Sequence, residues 1–287
     1  MNVLRYITIL VLSLFVTLAA ASADSSATGE WSIEPSTQAG QVHFTIVLGN
    51  PDSSDTEDHS SDVDISALGL SKAQLESSGD VTFTFMREAG TFACRGRISN
   101  GKGGGTATFT PSGDYRSKMA ALGYDGLTLR NQVTAAMIDL TTAYVASISA
   151  AGYPHLLFEE LVAFRALGVD EGYARTMRAT FSSQDLDAND LIAMRALHVT
   201  AGYVTELRAM GFTIDKPRDA IAMSALHVDA EYARSLAAAG YPHLTARELI
   251  QLRAMHIDAA YIQRVKSHGI PNPTVEQLVR LKAMNII

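Results

Sequence analysis

The chain of 287 residues contains a single cysteine, Cys94. One thiol excludes any internal disulfide, so stability has to come from packing and hydrogen bonding. After the first two dozen residues, no segment approaches the run of about 18 apolar residues that a membrane-spanning helix requires. Positive charge is also short: 23 Lys and Arg stand against 30 Asp and Glu, a formal net charge of −7. That balance argues against nucleic acid or an anionic membrane as the main partner. Catalytic signatures are missing as well. There is no Gly-x-Ser-x-Gly elbow, no phosphate loop opening a helix, no His-Glu-x-x-His and no Cys/His spacing suited to zinc. No catalytic residue, cofactor or metal ligand is therefore assigned from the sequence.

What is present begins with MNVLRYITILVLSLFVTLAAASADSS. One basic residue, an apolar run from Tyr6 to Leu18 and Ala21-Ser22-Ala23 form the three-part layout of a secretory signal peptide. This predicts cleavage after Ala23 and export to the bacterial periplasm or beyond, with no stable membrane anchor afterwards. A retained N-terminal anchor is the alternative, and the lack of a cysteine after the apolar run excludes a lipoprotein. Loss of Arg5 leaves 22 basic residues (23 − 1) against 30 acidic, a net charge near −8. The acidity is uneven: residues 24–111 hold 5 basic and 12 acidic side chains, residues 112–287 hold 17 and 18.

Residues 24–111 read as an antiparallel β domain. Trp31 and Ile33, then Val42 to Leu48, then Val81, Phe83 and Phe85, then Phe92, Cys94 and Ile98, then Ala107 and Phe109 alternate with mostly polar neighbours. A half-buried strand requires that period of two. Glu88-Ala89-Gly90 and Ser99-Asn100-Gly101 supply turns, giving a five-stranded meander or sandwich with Cys94 inward and inert. The glycine-rich Gly101–Gly105 stretch lies between strands and opens no helix, so it reads as a hairpin turn and not as a phosphate cradle. Pro51–Asp64 gathers six carboxylates but lacks the glycine and spaced glutamate of a calcium loop, and reads as a solvated mobile loop.

From 112 to 287 the pattern becomes helical and repeats. Tyr115, Tyr144, Tyr173, Tyr203, Tyr232 and Tyr261 lie 29 or 30 residues apart. Eight residues after each stands Gly123, Gly152, Phe181, Gly211, Gly240 or Gly269. Such self-similarity predicts an all-α solenoid of six helical hairpins. In the fifth unit Asp229 caps a first helix that ends at Gly240, and Thr245 with Glu248 forms a capping box for a second helix. That second helix, with Leu249, Ile250, Leu252 and Met255, reads as apolar nearly all round and sandwiched between units.

Two columns of the repeat invite a functional reading. His198, His227 and His256 share a slot with Asp139, Gly168 and Asn285. Those residue types tolerate the left-handed conformation that closes a helix, so the column reads as punctuation. The alternative is a metal or proton-sensing ladder. Metal ligands lie about 2 Å from their ion, whereas stacked units stand about 10 Å apart. The second column, Arg165, Arg195, Ser224, Arg253 and Lys282, falls in the last turn of the second helices. Its cations would complement the dipoles of their own helices. Alternatively, Arg165, Arg195, Arg253 and Lys282 would read an acidic partner along a groove.

The phrase RELIQLRAMHIDAAY at 247–261, with AGYPHL at 151–156 and 239–244, resembles tandem repeats of exported bacterial proteins of unassigned activity. Similar repeats are appended to membrane metallopeptidases of the beta-lactam sensor/antirepressor type. The resemblance covers 112–287 and implies repeat architecture without an activity, since the peptidase part is missing. The sequence thus points to an α+β protein with the solenoid as its second part. The expected function is an exported, non-enzymatic module binding a protein or peptide. An envelope hydrolase or metal-dependent enzyme is the alternative.

Overall fold

The computed structural model describes residues 26–49, 56–181 and 186–286. Within them six strands form one antiparallel sheet: β1 (Ala27–Pro35), β2 (Gln41–Gly49), β3 (Thr56–Asp64), β4 (Ser78–Arg87), β5 (Gly90–Ser99) and β6 (Lys102–Pro111). Their order is β3-β2-β1-β6-β5-β4, two three-stranded meanders joined through β1 and β6. The sheet has one strand more than the five expected, and the extra one is β3, in the acidic stretch read as a loop. It pairs with β2 from Gln41↔Asp64 to Gly49↔Thr56. An edge strand needs only one row of hydrogen bonds and one partly covered face, so polar and acidic residues are tolerated there and discourage further pairing. Residues 50–55, the rest of that stretch, lie outside the described residues.

The alternation sends Trp31, Ile33, Phe44, Ile46, Phe83, Phe85, Phe92, Cys94 and Phe109 to one buried face. The sheet curls enough for Phe44 on β2 to meet Phe83 and Phe85 on β4, with ring centres 6.2 and 5.6 Å apart. Asn100 and Gly101 form the β5–β6 turn with φ of 52° and 79°, the positive pair that a two-residue hairpin turn needs. The glycines after it are not part of the turn; they lie within β6. Gly105 pairs with Trp31 on one side and Gly96 on the other. A Cβ on it would come within 2.0 Å of the Arg95 carbonyl, the group to which the Trp31 indole N–H donates at 3.1 Å. Burial pushes the Cys94 thiol up to about 12, so it stays protonated and unreactive at neutral pH.

A short helix, α1 (Lys72–Glu76), precedes β4. After the sheet come twelve helices in six pairs. The first helices are α2 (Gly113–Ala121), α4 (Thr142–Ala150), α6 (Glu171–Phe181), α8 (Ala201–Ala209), α10 (Ala230–Ala238) and α12 (Ala259–Ser267). The second helices are α3 (Leu129–Met137), α5 (Phe158–Leu167), α7 (Ala188–Ala196), α9 (Pro217–Ala225), α11 (Ala246–Ala254) and α13 (Val275–Ala283). Most have nine residues, too short to be stable alone, so stacking has to supply their stability. First helices pack on first helices and second on second, from α4 on α6 through α10 on α12 and from α5 on α7 through α11 on α13. The second helices are not apolar all round: on α11, Leu249 and Leu252 are buried, but Arg247, Gln251 and Ala254 face solvent.

Sheet and array share one continuous hydrophobic core, with α3 packed on β3, β5 and β6. Polar contacts fasten the same junction. The Glu88 carboxylate in the β4–β5 turn accepts from the backbone N–H and the hydroxyl of Thr142, at 2.9 and 2.6 Å, at the start of α4. Asp139 lies 3.5 Å from Arg87 Nε and 3.3 Å from Arg165 Nη2, joining the sheet to the second unit. Ser61 on β3 donates to the Met137 carbonyl at 3.2 Å.

Candidate interaction site of the helical array

Each first helix starts with a side-chain cap. Ser112, Thr141, Asp170, Thr200, Asp229 and Asp258 accept from the backbone N–H of the repeated tyrosine three residues on. The tyrosine then works a second time through its hydroxyl. Tyr115, Tyr144, Tyr173, Tyr203 and Tyr232 donate to the carbonyls of Leu140, Val169, Val199, Val228 and Ile257, at 2.6 to 2.9 Å. Each bond ties the start of one unit to the exit of its own second helix. Tyr261, in the sixth unit, is buried, and its hydroxyl has no partner among the described residues. Burial raises the phenols, to about 12 for Tyr173 and Tyr203. Tyr115, Tyr144 and Tyr232 move further in the same direction, again chiefly through burial.

The histidine column does close helices. Asp139, His198, His227, His256 and Asn285 have φ between 52° and 56°, and Gly168 has φ 70°. The next residue completes a Schellman motif: Val199 N–H bonds Met194 O at 2.8 Å while His198 N–H bonds Arg195 O at 3.1 Å. The same pair recurs as Val228 to Met223 with His227 to Ser224, and as Ile257 to Leu252 with His256 to Arg253. The three imidazoles are exposed, and among the described residues no three His, Cys, Asp or Glu are placed to hold a metal ion. Replacing His227 by Asn is expected to leave thermal stability nearly unchanged. Val at the same place should cost about 1–2 kcal/mol, because a β-branched residue resists positive φ. Equal losses for the two variants in thermal melts would contradict the capping role.

The structure places the cationic column across unit boundaries. Arg165 Nε donates to the Ile138 and Asp139 carbonyls at 3.1 and 3.0 Å. Arg195 Nε reaches Leu167 O and Arg253 Nε reaches Leu226 O, each at 3.1 Å, and the Ser224 hydroxyl reaches Leu197 O at 2.8 Å. These carbonyls end the second helix of the preceding unit, so side chains that stand in the last turn of their own helices also bond the neighbour's helix terminus. The three guanidinium groups also lie over Tyr144, Tyr173 and Tyr232, 4.6 to 5.3 Å from the ring centres. Lys282 stands 4.6 Å over Tyr261. A partner reaching this column would have to compete with bonds the cations already make.

A second set of braces joins the first helices. Arg178 donates to Gly152 O at 3.1 Å, Arg208 to Thr180 O at 2.8 Å and Lys266 to Ala239 O at 2.7 Å. Their cations face Tyr153, Phe181 and Tyr241. The sequence carries the signal: each stands five residues after a repeated tyrosine, in a column completed by Ala120, Ser149 and Ala237.

The loops between paired helices are sealed in the same direction. Tyr153 donates to Leu186 O at 3.0 Å, Ala246 N–H to Thr213 O at 3.1 Å, and Tyr241 to Pro273 O. Among the described residues, the step from unit one to unit two has neither such a bond nor a brace between first helices, whereas the step from unit three to unit four keeps the Arg208 brace. Ser149 fills the brace slot, and the hydroxyl of Tyr124, the counterpart of Tyr153, has no hydrogen-bond partner among the described residues. A cleft opens there between the loops at 122–127 and 154–159, bordered by Tyr124, Asp125, Asn131, His155, Leu157, Phe158 and Glu159. Leu157 is 66% exposed although it holds the N-cap position of α5. The equivalent slots carry Thr128, Asp187, Lys216, Thr245 and Thr274, and Lys216 is followed by Pro217 at the first helical position. Glu160 accepts from the Leu157 N–H at 2.8 Å, but leucine has no oxygen to cap the amides beyond it. No protein-family model, curated protein or solved structure matches this chain.

Proposed function

We propose that the chain is an exported, non-enzymatic module that binds a protein or peptide in the bacterial envelope, in sensing or scaffolding, and that the cleft between its first two helical units is the docking place. The carrying observation is Leu157. An exposed leucine in an N-cap slot gives up a cap worth about 1 kcal/mol and covers no core of its own. Local rules broken without a folding gain mark functional positions. The rest of the array favours the same reading. Its repeated polar side chains hold the units together, which makes a firm frame, and among the described residues the step from unit one to unit two has neither the first-helix brace nor the loop bond. Export rests on the N-terminal segment, which lies outside the described residues.

Leu157→Thr separates folding from binding. Threonine restores the cap, so the melting temperature should rise, by about 2–4 °C for about 1 kcal/mol. Phage-displayed peptides selected on the purified parent chain should lose affinity for the variant. A selection that enriches nothing, or peptides that bind parent and variant alike, would overturn the proposal.

A further inference from the structure

The charge of the cleft narrows the kind of peptide. Asp125 and Glu159 both border it, both are exposed, and neither is in an ion pair among the described residues. No lysine or arginine lines the cleft. Glu160, beside it, is committed to the Leu157 backbone. The apolar surface is contributed by exposed Leu157 and by half-buried Phe158, Leu122 and Leu127. Hydrogen bonding to a bound main chain is available from the unpaired Tyr124 hydroxyl and from the first amides of α5, which leucine cannot cap.

We infer that the cleft recognises an extended peptide segment in which a lysine or arginine stands next to apolar residues. This rests on the cleft being a peptide site at all. The apolar side chains cover Leu157 and Phe158, and the Tyr124 hydroxyl and the α5 amides donate to peptide carbonyls. The cation lies between Asp125 and Glu159. An acidic peptide would bring like charges against two unpaired carboxylates, which is the repulsive element that selects among partners. The amides at the start of α5 do not reverse this preference, because Glu159 and Glu160 already place negative charge on that helix terminus.

Three capped synthetic peptides test it: acetyl-ALKFLA-amide and the same peptide with Gln or Glu in place of Lys, titrated into the purified full chain by calorimetry. The Lys peptide is expected to bind at least tenfold more tightly than the Glu peptide, with a gap that shrinks as salt is raised. The double variant Asp125→Asn/Glu159→Gln should lose the preference for Lys over Gln while its melting temperature falls by no more than about 1–4 °C, the loss expected from one first-turn charge on α5. Equal binding of all three peptides, abolished by Leu157→Thr, would overturn the charge recognition and leave the peptide site standing. Absence of binding by all three, or binding unaffected by Leu157→Thr, would remove both.

Discussion

Raising the pH from about 9 to about 12 is expected to unfold the helical array in one cooperative transition. Five repeated tyrosines donate a hydroxyl hydrogen to a carbonyl of their own unit, and that bond exists only while the phenol is protonated. Burial raises all five above the ordinary value near 10, to about 12 at Tyr173 and Tyr203. A raised folded pKa contributes stability that is complete below the unfolded value and is lost as pH climbs toward the folded one. Between about 10 and 12 the unfolded chain releases protons that the folded chain keeps. Each tyrosine then removes at most about 1.4 kcal/mol per pH unit, and less at the half-buried Tyr144, Tyr173 and Tyr203, so that five together remove several kcal/mol per unit. Ordinary domains have about 5–15 kcal/mol to lose, so the array should fail within about two pH units. Tyrosinate absorbance near 295 nm and helical circular dichroism should change together. A simple tyrosinate titration centred near pH 10, with helicity intact, would contradict this account.

Reversing Arg195 and Arg253 together to Glu should be the most damaging of the surface changes. Each reversal removes a charge-assisted bond to the end of the preceding unit's second helix, at 3.1 Å in both cases. It also removes the cation from a tyrosine face, at 4.9 and 4.6 Å. A carboxylate is then left beside C-terminal carbonyls. Charged hydrogen bonds contribute about 1.5–3 kcal/mol, the ring contacts about 0.5–1, and the misplaced charge costs about 0.3–1. Both arginines are half-exposed, which brings the combined loss to about 4 kcal/mol, or about 8–16 °C in melting temperature. The sites are two units apart and their effects should add. The chain provides its own control. Ser224 fills the same slot and donates to Leu197 O at 2.8 Å, so Arg195→Ser/Arg253→Ser should keep much of the stability that the double reversal loses. A double reversal that melts like the parent would show that the braces carry no stability.

Much of the array is legible in the chain because its punctuation is local. A cap at Asp229 is satisfied by the amide of Tyr232, and the left-handed turn at His227 by the carbonyl of Ser224, each within one helical turn. Interactions closed over three to five residues need no knowledge of the fold, so the column of His, Asp, Gly and Asn declares its conformation through residue type alone. The alternation of the five apolar strands is legible for the same reason. The sequence by itself therefore determined the period, the six helical pairs of the array, their ends and the class of fold, but not α1. Tertiary structure decided the rest, because the partners lie beyond the few residues that a single helical turn or hairpin turn can close. Polar β3 becomes a strand only because β2 offers it a complete ladder. Arg165, Arg195 and Arg253 serve a neighbour's helix terminus, 26 to 28 residues back, only because stacking brings that terminus within reach. Asp139 meets Arg87 only because the sheet packs against the first unit. Leu157 stands out from Thr128, Asp187 and Thr245 in the sequence, but an apolar residue in a cap slot is silent about its surroundings. Only the stacking of the first two units leaves it exposed beside an unsealed cleft, since exposure depends on what packs nearby and not on the residue itself.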